Sequence, residues 1–79
     1  MTLRAMTIYL VFRNDINRGE LTLIAPHATF DGTYEQMLAE RTYWEDHGAL
    51  IEYRKDGSFI VEFGQNKWHF YVVTRTLEK

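Results

Sequence analysis

The stretch Ala49–Arg75, ALIEYRKDGSFIVEFGQNKWHFYVVTR, decides the fold. Apolar and polar residues alternate along it, and glycines punctuate it at Gly57 and Gly64. Alternation with a period of two marks strands with one buried face. Lys55-Asp56-Gly57 fits a three-residue hairpin loop with glycine in the left-handed position. The stretch therefore reads as a three-stranded meander over 49–54, 58–63 and 68–75, with Gly64–Lys67 as the second turn.

The register follows from the pattern. Placing Arg54 opposite Ser58 sets Tyr53 against Phe59 and Ile51 against Val61. Placing Phe63 opposite Trp68 sets Val61 against Phe70 and Phe59 against Val72. Both hairpins then put Ile51, Tyr53, Phe59, Val61, Phe63, Trp68, Phe70 and Val72 on one face. The other face is mixed and holds Glu52, Arg54, Ser58, Ile60, Glu62, His69, Tyr71, Val73 and Arg75.

Working toward the N-terminus, residues 33–47 read as the one helix. Thr33 and Gln36 form a candidate capping box, and Gly48 stands where a helix takes its left-handed terminator. Tyr34, Met37, Leu38, Arg41 and Trp44 share a face. Arg41 interrupts that stripe and has Glu45 four residues on as a surface partner. Before the helix, residues 7–13 and 20–25 are β-branched and aromatic and predict a hairpin around the polar loop Asn14–Gly19, closed by Pro26. Ile8, Leu10, Phe12, Leu21 and Leu23 are expected on the apolar face, and Tyr9, Val11, Thr22 and Ile24 on the mixed one. Met1–Ala5 reads as a loose extension.

The element order is β-β-α-β-β-β, an α+β fold with a single helix packed on a mainly antiparallel five-stranded sheet. An all-antiparallel order β2-β1-β5-β4-β3 is the simplest solution, because successive elements then alternate direction. The 79 residues form one small domain spanning 1–79. With no cysteine, disulfides, thiolate metal sites and a cysteine nucleophile are excluded. No apolar run approaches the roughly 20 residues of a membrane helix, so a cytoplasmic protein without membrane partners is expected.

A helix of this length is about 22 Å long and 10 Å wide. A five-stranded sheet is about 20 Å across, so one helix cannot cover it. The mixed face leaves Tyr9, Val11, Ile60, Tyr71 and Val73 for solvent or a partner. Exposed apolar area rimmed by charge marks interfaces, a homodimer among them. Strand propensity alone also places Val, Ile and Tyr at such positions.

Charge is uneven along the chain, whose net value is -2. Residues 26–50 carry Arg41 against Asp31, Glu35, Glu40, Glu45 and Asp46, while each flanking segment is slightly positive. Such a balance argues against a general nucleic-acid binder and fits a partner with a basic surface.

Catalytic patterns are sparse. His27, His47 and His69 have no metal-ligand spacing, and His47 suits a helix C-terminus. Ser58 lies in a turn with no nucleophile-elbow motif around it, and the glycines are isolated. No cofactor is implied. The sequence favours a non-enzymatic protein-binding module. Its contacts are expected at Glu35, Glu40, Glu45, Asp46 and Tyr43 on the helix and at Tyr9, Ile60 and Tyr71 on the sheet. In size and acidity such a chain compares with phage or mobile-element inhibitors of host machinery, anti-CRISPR proteins among them. One alternative is a single-stranded nucleic-acid binder using Arg54, Lys67, His69, Tyr71 and Arg75, with Arg13 extending the strip. Another is a small RNase-like toxin built on His69, Arg75 and Tyr71.

Overall fold

A computed structural model describes residues 5–78. The elements are β1 (Ala5–Asp15), β2 (Glu20–His27), α1 (Phe30–Asp46), β3 (Leu50–Tyr53), β4 (Phe59–Phe63) and β5 (Asn66–Glu78). The strands form one antiparallel sheet in the order β2-β1-β5-β4-β3, the order expected as the simplest solution. Of the expected loose extension, residues 1–4 lie outside the described residues, while Ala5 pairs with Glu78 at the start of β1.

The β3–β4 hairpin has the expected register, with Ile51 opposite Val61 and Tyr53 opposite Phe59. Gly57 takes φ 88°, the left-handed conformation its loop needs. The β4–β5 hairpin is tighter than expected. Phe63 faces Asn66, Val61 faces Trp68 and Phe59 faces Phe70. Gly64, with φ 63°, and Gln65 alone make the turn, with glycine at the first central position as a type II′ turn requires. The register is thus displaced by two residues from the expected one. A two-residue displacement keeps every side chain on its face, so the predicted partition of the meander survives.

The first hairpin is turned over. Val11 faces Val72 across β1–β5, and Tyr9 faces Thr74. Paired residues share a face, so Tyr9 and Val11 point to the helix side, and Val11 is fully buried. Thr22 pairs with Arg13 on that side, and Ile24 packs against the core. Ile8, Leu10, Phe12, Leu21 and Leu23 occupy the opposite face, the reverse of expectation. A bulge in β2 opposite Val11/Phe12 inserts Ile24 between the paired Leu23 and Ala25.

The helix starts earlier than the Thr33–Gln36 capping box implied. Thr29 is the N-cap, and its Oγ1 accepts a hydrogen bond from the Gly32 amide at 3.1 Å. Thr33 is instead a buried residue within the helix, its hydroxyl donating to the Thr29 carbonyl. At the other end Gly48 (φ 80°) donates to the Glu45 carbonyl and Ala49 to that of Trp44, a full Schellman closure.

Met37 and Trp44 from the helix pack on Phe59, Val61 and Phe70. Trp44 stacks on Trp68 at 4.8 Å, and Phe59 on Phe70 at 5.0 Å. The core is small. Among the described residues only Val11, Phe59, Val61 and Phe70 are buried hydrophobics, while 11 large apolar side chains are exposed.

Candidate functional site

The sheet has two faces, and α1 covers one of them. Register places the following side chains on the uncovered face. From β1 come Met6, Ile8, Leu10 and Phe12. From β2 come Leu21 and Leu23, and from β5 Tyr71, Val73 and Leu77. Ile60 and Leu50 continue the face across β4 and β3. Met6, Leu21, Leu23, Leu50 and Leu77 are each between 46% and 71% exposed. Ile8, Leu10, Phe12, Ile60, Tyr71 and Val73 are half-buried. The inverted first hairpin makes this face far more apolar than the sequence implied. It exchanges Tyr9 and Val11 for Ile8, Leu10 and Phe12. Tyr9, expected on this face, meets Phe30 edge-on on the helix side, with ring centroids 6.2 Å apart.

The charged residues on this face lie mainly toward β3 and β4. Glu62 stands directly opposite Lys67. Glu52 lies 3.4 Å from Arg54. Arg75 sits beside Ile8 near the far end of the β1–β5 ladder. Arg54, Lys67, His69, Tyr71 and Arg75 therefore share one face, while Arg13, opposite Phe70, lies on the helix side. A row of rings crosses the sheet here. His69 lies 5.0 Å from Tyr71, and Tyr71 stacks on Phe12 at 5.8 Å.

One hydrogen-bonded chain anchors the row. The Ser58 hydroxyl donates to Asp56 Oδ1 at 2.6 Å, and the Ser58 amide donates to the same oxygen at 2.9 Å. The side-chain bond first, then the amide bond, holds the Asp56 carboxyl below the usual carboxylate range. His69 Nε2 lies 2.9 Å from Ser58 Oγ. A serine has one hydroxyl proton, and here it goes to Asp56. His69 must therefore donate to Ser58 rather than take its proton, the reverse of what an activated nucleophile requires. Nor do the residues of the toxin reading converge. His69 and Arg75 are six residues apart on one strand, about 20 Å. Among the described residues no three acidic or histidine side chains group as metal ligands.

The acidic helix is a separate surface on the other side of the molecule. Glu35 and Asp46 are exposed, and so is Tyr43, which lies edge-on to Trp44 with centroids 5.2 Å apart. Glu40, another of the expected contact residues, is less accessible. It is half-buried and accepts a hydrogen bond from Gln36 at 3.0 Å. Glu45 is already engaged. Arg41 Nε lies 3.2 Å away, and the Tyr53 hydroxyl donates to it at 2.6 Å. That hydrogen bond chiefly, with desolvation and the Glu45 charge behind it, raises the Tyr53 phenol above its ordinary value. The Arg41–Glu45 contact is the surface pair the sequence suggested, with Arg41 also 5.7 Å from the centre of the Tyr53 ring. His47 Nδ1 donates to the Tyr43 carbonyl at 2.7 Å, closing the helix end.

No residue signal along the chain shows which face of the first hairpin the helix covers, so Leu10, Phe12, Leu21 and Leu23 were missed as surface residues. Among the described residues no helix is long and apolar enough to cross a membrane. Comparison with protein-family models, with curated proteins and with solved structures finds no match in any of the three.

Proposed function

We propose that the chain is a non-enzymatic protein-binding module whose contact surface is the uncovered sheet face. The observation that carries this reading is that, among the described residues, four hydrophobics are buried against 11 large ones exposed, and five of those, Met6, Leu21, Leu23, Leu50 and Leu77, gather on that face. A small domain with so slight a core gains stability when a partner shelters such a surface. Helix and open face point in opposite directions, so one flat partner surface cannot engage both. The acidic helix, with Glu35 and Asp46 free, serves a separate, charge-steered contact with a basic protein. An inhibitor that occupies the working surface of host machinery, in the anti-CRISPR manner, is the use that small size and an acidic helix suit.

Affinity capture with two paired variants tests the assignment. Leu21→Lys with Leu23→Lys should release the captured protein, because both side chains are exposed on the open face. Glu35→Lys with Asp46→Lys should leave it bound. The opposite outcome would transfer the function to the helix.

A second reading, a single-stranded nucleic-acid binder, is favoured by the ring row His69–Tyr71–Phe12 with Arg54, Lys67 and Arg75 on the same face. Glu52 and Glu62 beside Arg54 and Lys67 weigh against it. A gel shift with single-stranded RNA and DNA at low salt decides it, since phosphate contacts bind most strongly there. No shift removes this reading.

A further inference from the structure

We propose that β5 also recruits a second copy of this chain, strand to strand, through the half of its edge that β4 leaves open. The proposal does not depend on what binds the open face. β4 pairs with β5 only from Asn66 to Phe70, whereas β5 runs on to Glu78 with β1 on its other side. Main-chain groups alternate in direction along an antiparallel strand. The Lys67 carbonyl accepts from Ile16 on the β1 side. Odd-numbered residues of β5 therefore bond to β1. Val72, Thr74 and Thr76 turn both N–H and C=O to the open edge. Unlike the other edges, this one lacks protection. β2 carries Pro26 and a bulge, and β3 is only four residues long. From Val72 to Leu77 the only charge is Arg75, and no proline intervenes. Long unblocked edges of this kind are templates for another strand.

Symmetry selects the occupant and its register. An antiparallel pairing of β5 with its own copy, centred on Thr74, sets Thr74 against Thr74 and Val72 against Thr76. It forms about six main-chain hydrogen bonds. Arg75 then lies opposite Val73. Centring on Arg75 would oppose two like charges at a non-hydrogen-bonded pair, where side chains are closest. Centring on Val73 would leave Thr76 facing Phe70, whose main chain already bonds to β4. Space exists on the helix side. A cleft of about 510 Å³, with Phe30, Tyr34, Gly57, Val72 and Thr74 in its lining, leaves room there for the helix-side side chains of the copy's strand, which itself lies in the plane of the sheet. The two-fold axis is perpendicular to the sheet, so both open faces lie on one side and merge.

Sedimentation and light scattering on the full chain, with Thr74→Pro, test this. The Thr74 N–H faces the open edge and not β1, so proline there removes an intermolecular donor while sparing the sheet. The wild type should have twice the 9.4 kDa chain mass. The variant should be monomeric, its dimer dissociation constant raised at least about tenfold, with unchanged circular dichroism. Should Thr74→Pro unfold, Thr76→Pro makes the same test further from the core. A wild type that stays monomeric at millimolar concentration overturns the proposal. So does a dimer that survives the proline variant and dissociates in Leu21→Lys/Leu23→Lys, since that dimer would use the open face. Failure of the capture experiment alone leaves the edge untouched.

Discussion

Val11 stands directly opposite Val72 across the β1–β5 ladder, and both face the helix. That one pairing assigns every side chain of β1 to its face. It buries Val11 completely and leaves its neighbours Leu10 and Phe12 on the uncovered side. The apolar surface proposed as the interface exists because of it.

The assignment predicts opposite sensitivities at two apolar residues of the first hairpin. Val11→Ala should cost about 2 kcal/mol, because the lost methyl groups leave a cavity in a close-packed site. Leu23→Ala, at an exposed position, should stay within about 0.5 kcal/mol of wild type. Urea denaturation of both variants measures the difference. Equal costs would contradict the facing of the hairpin.

Helix initiation at Thr29 predicts a loss of about 1 kcal/mol for Thr29→Ala, the usual value of an N-cap side chain. Gln36→Ala should have little effect on capping, since Gln36 bonds to Glu40 and not to the helix start. Thermal melts of the two variants report the contrast.

Asp56 supplies an acid-side pH dependence. Its carboxyl titrates below the ordinary range when folded, so the contribution is complete above the unfolded pKa. It is lost as pH falls through the lowered folded value. Ser58→Ala removes the largest cause and should return the Asp56 carboxyl toward its ordinary value, which NMR titration follows directly. An unchanged titration would show that the serine hydroxyl does not hold the carboxylate.

Tyr53 behaves in the opposite sense. Its phenol is raised when folded, so its contribution is complete below the ordinary phenol pKa and is lost as pH rises through the raised value. Glu45→Gln removes the carboxylate charge and weakens the bond that favours the protonated phenol. An ultraviolet absorbance titration should then show Tyr53 ionising at lower pH than in the wild type.

By itself the sequence determined the number, kind and order of elements and the two faces of the meander, while the spatial strand order followed only as the simplest antiparallel solution. Its determinants are local: a period-two alternation within each strand of the meander, and glycines at 48, 57 and 64 where φ is positive. Even the two-residue displacement at Gly64–Gln65 did no harm, because strand side chains repeat every two residues. Of the candidate site, the shared face of His69, Tyr71 and Arg75 was legible for the same reason. The facing of the first hairpin was decided only in the tertiary structure. Ile8-Tyr9-Leu10-Val11-Phe12 is apolar at odd and even positions alike, so either face can enter the core. The choice rests on which residue of β1 meets Val72, sixty-one positions away in the chain. No local periodicity carries that information; it emerges when the strands pair and the helix covers one side.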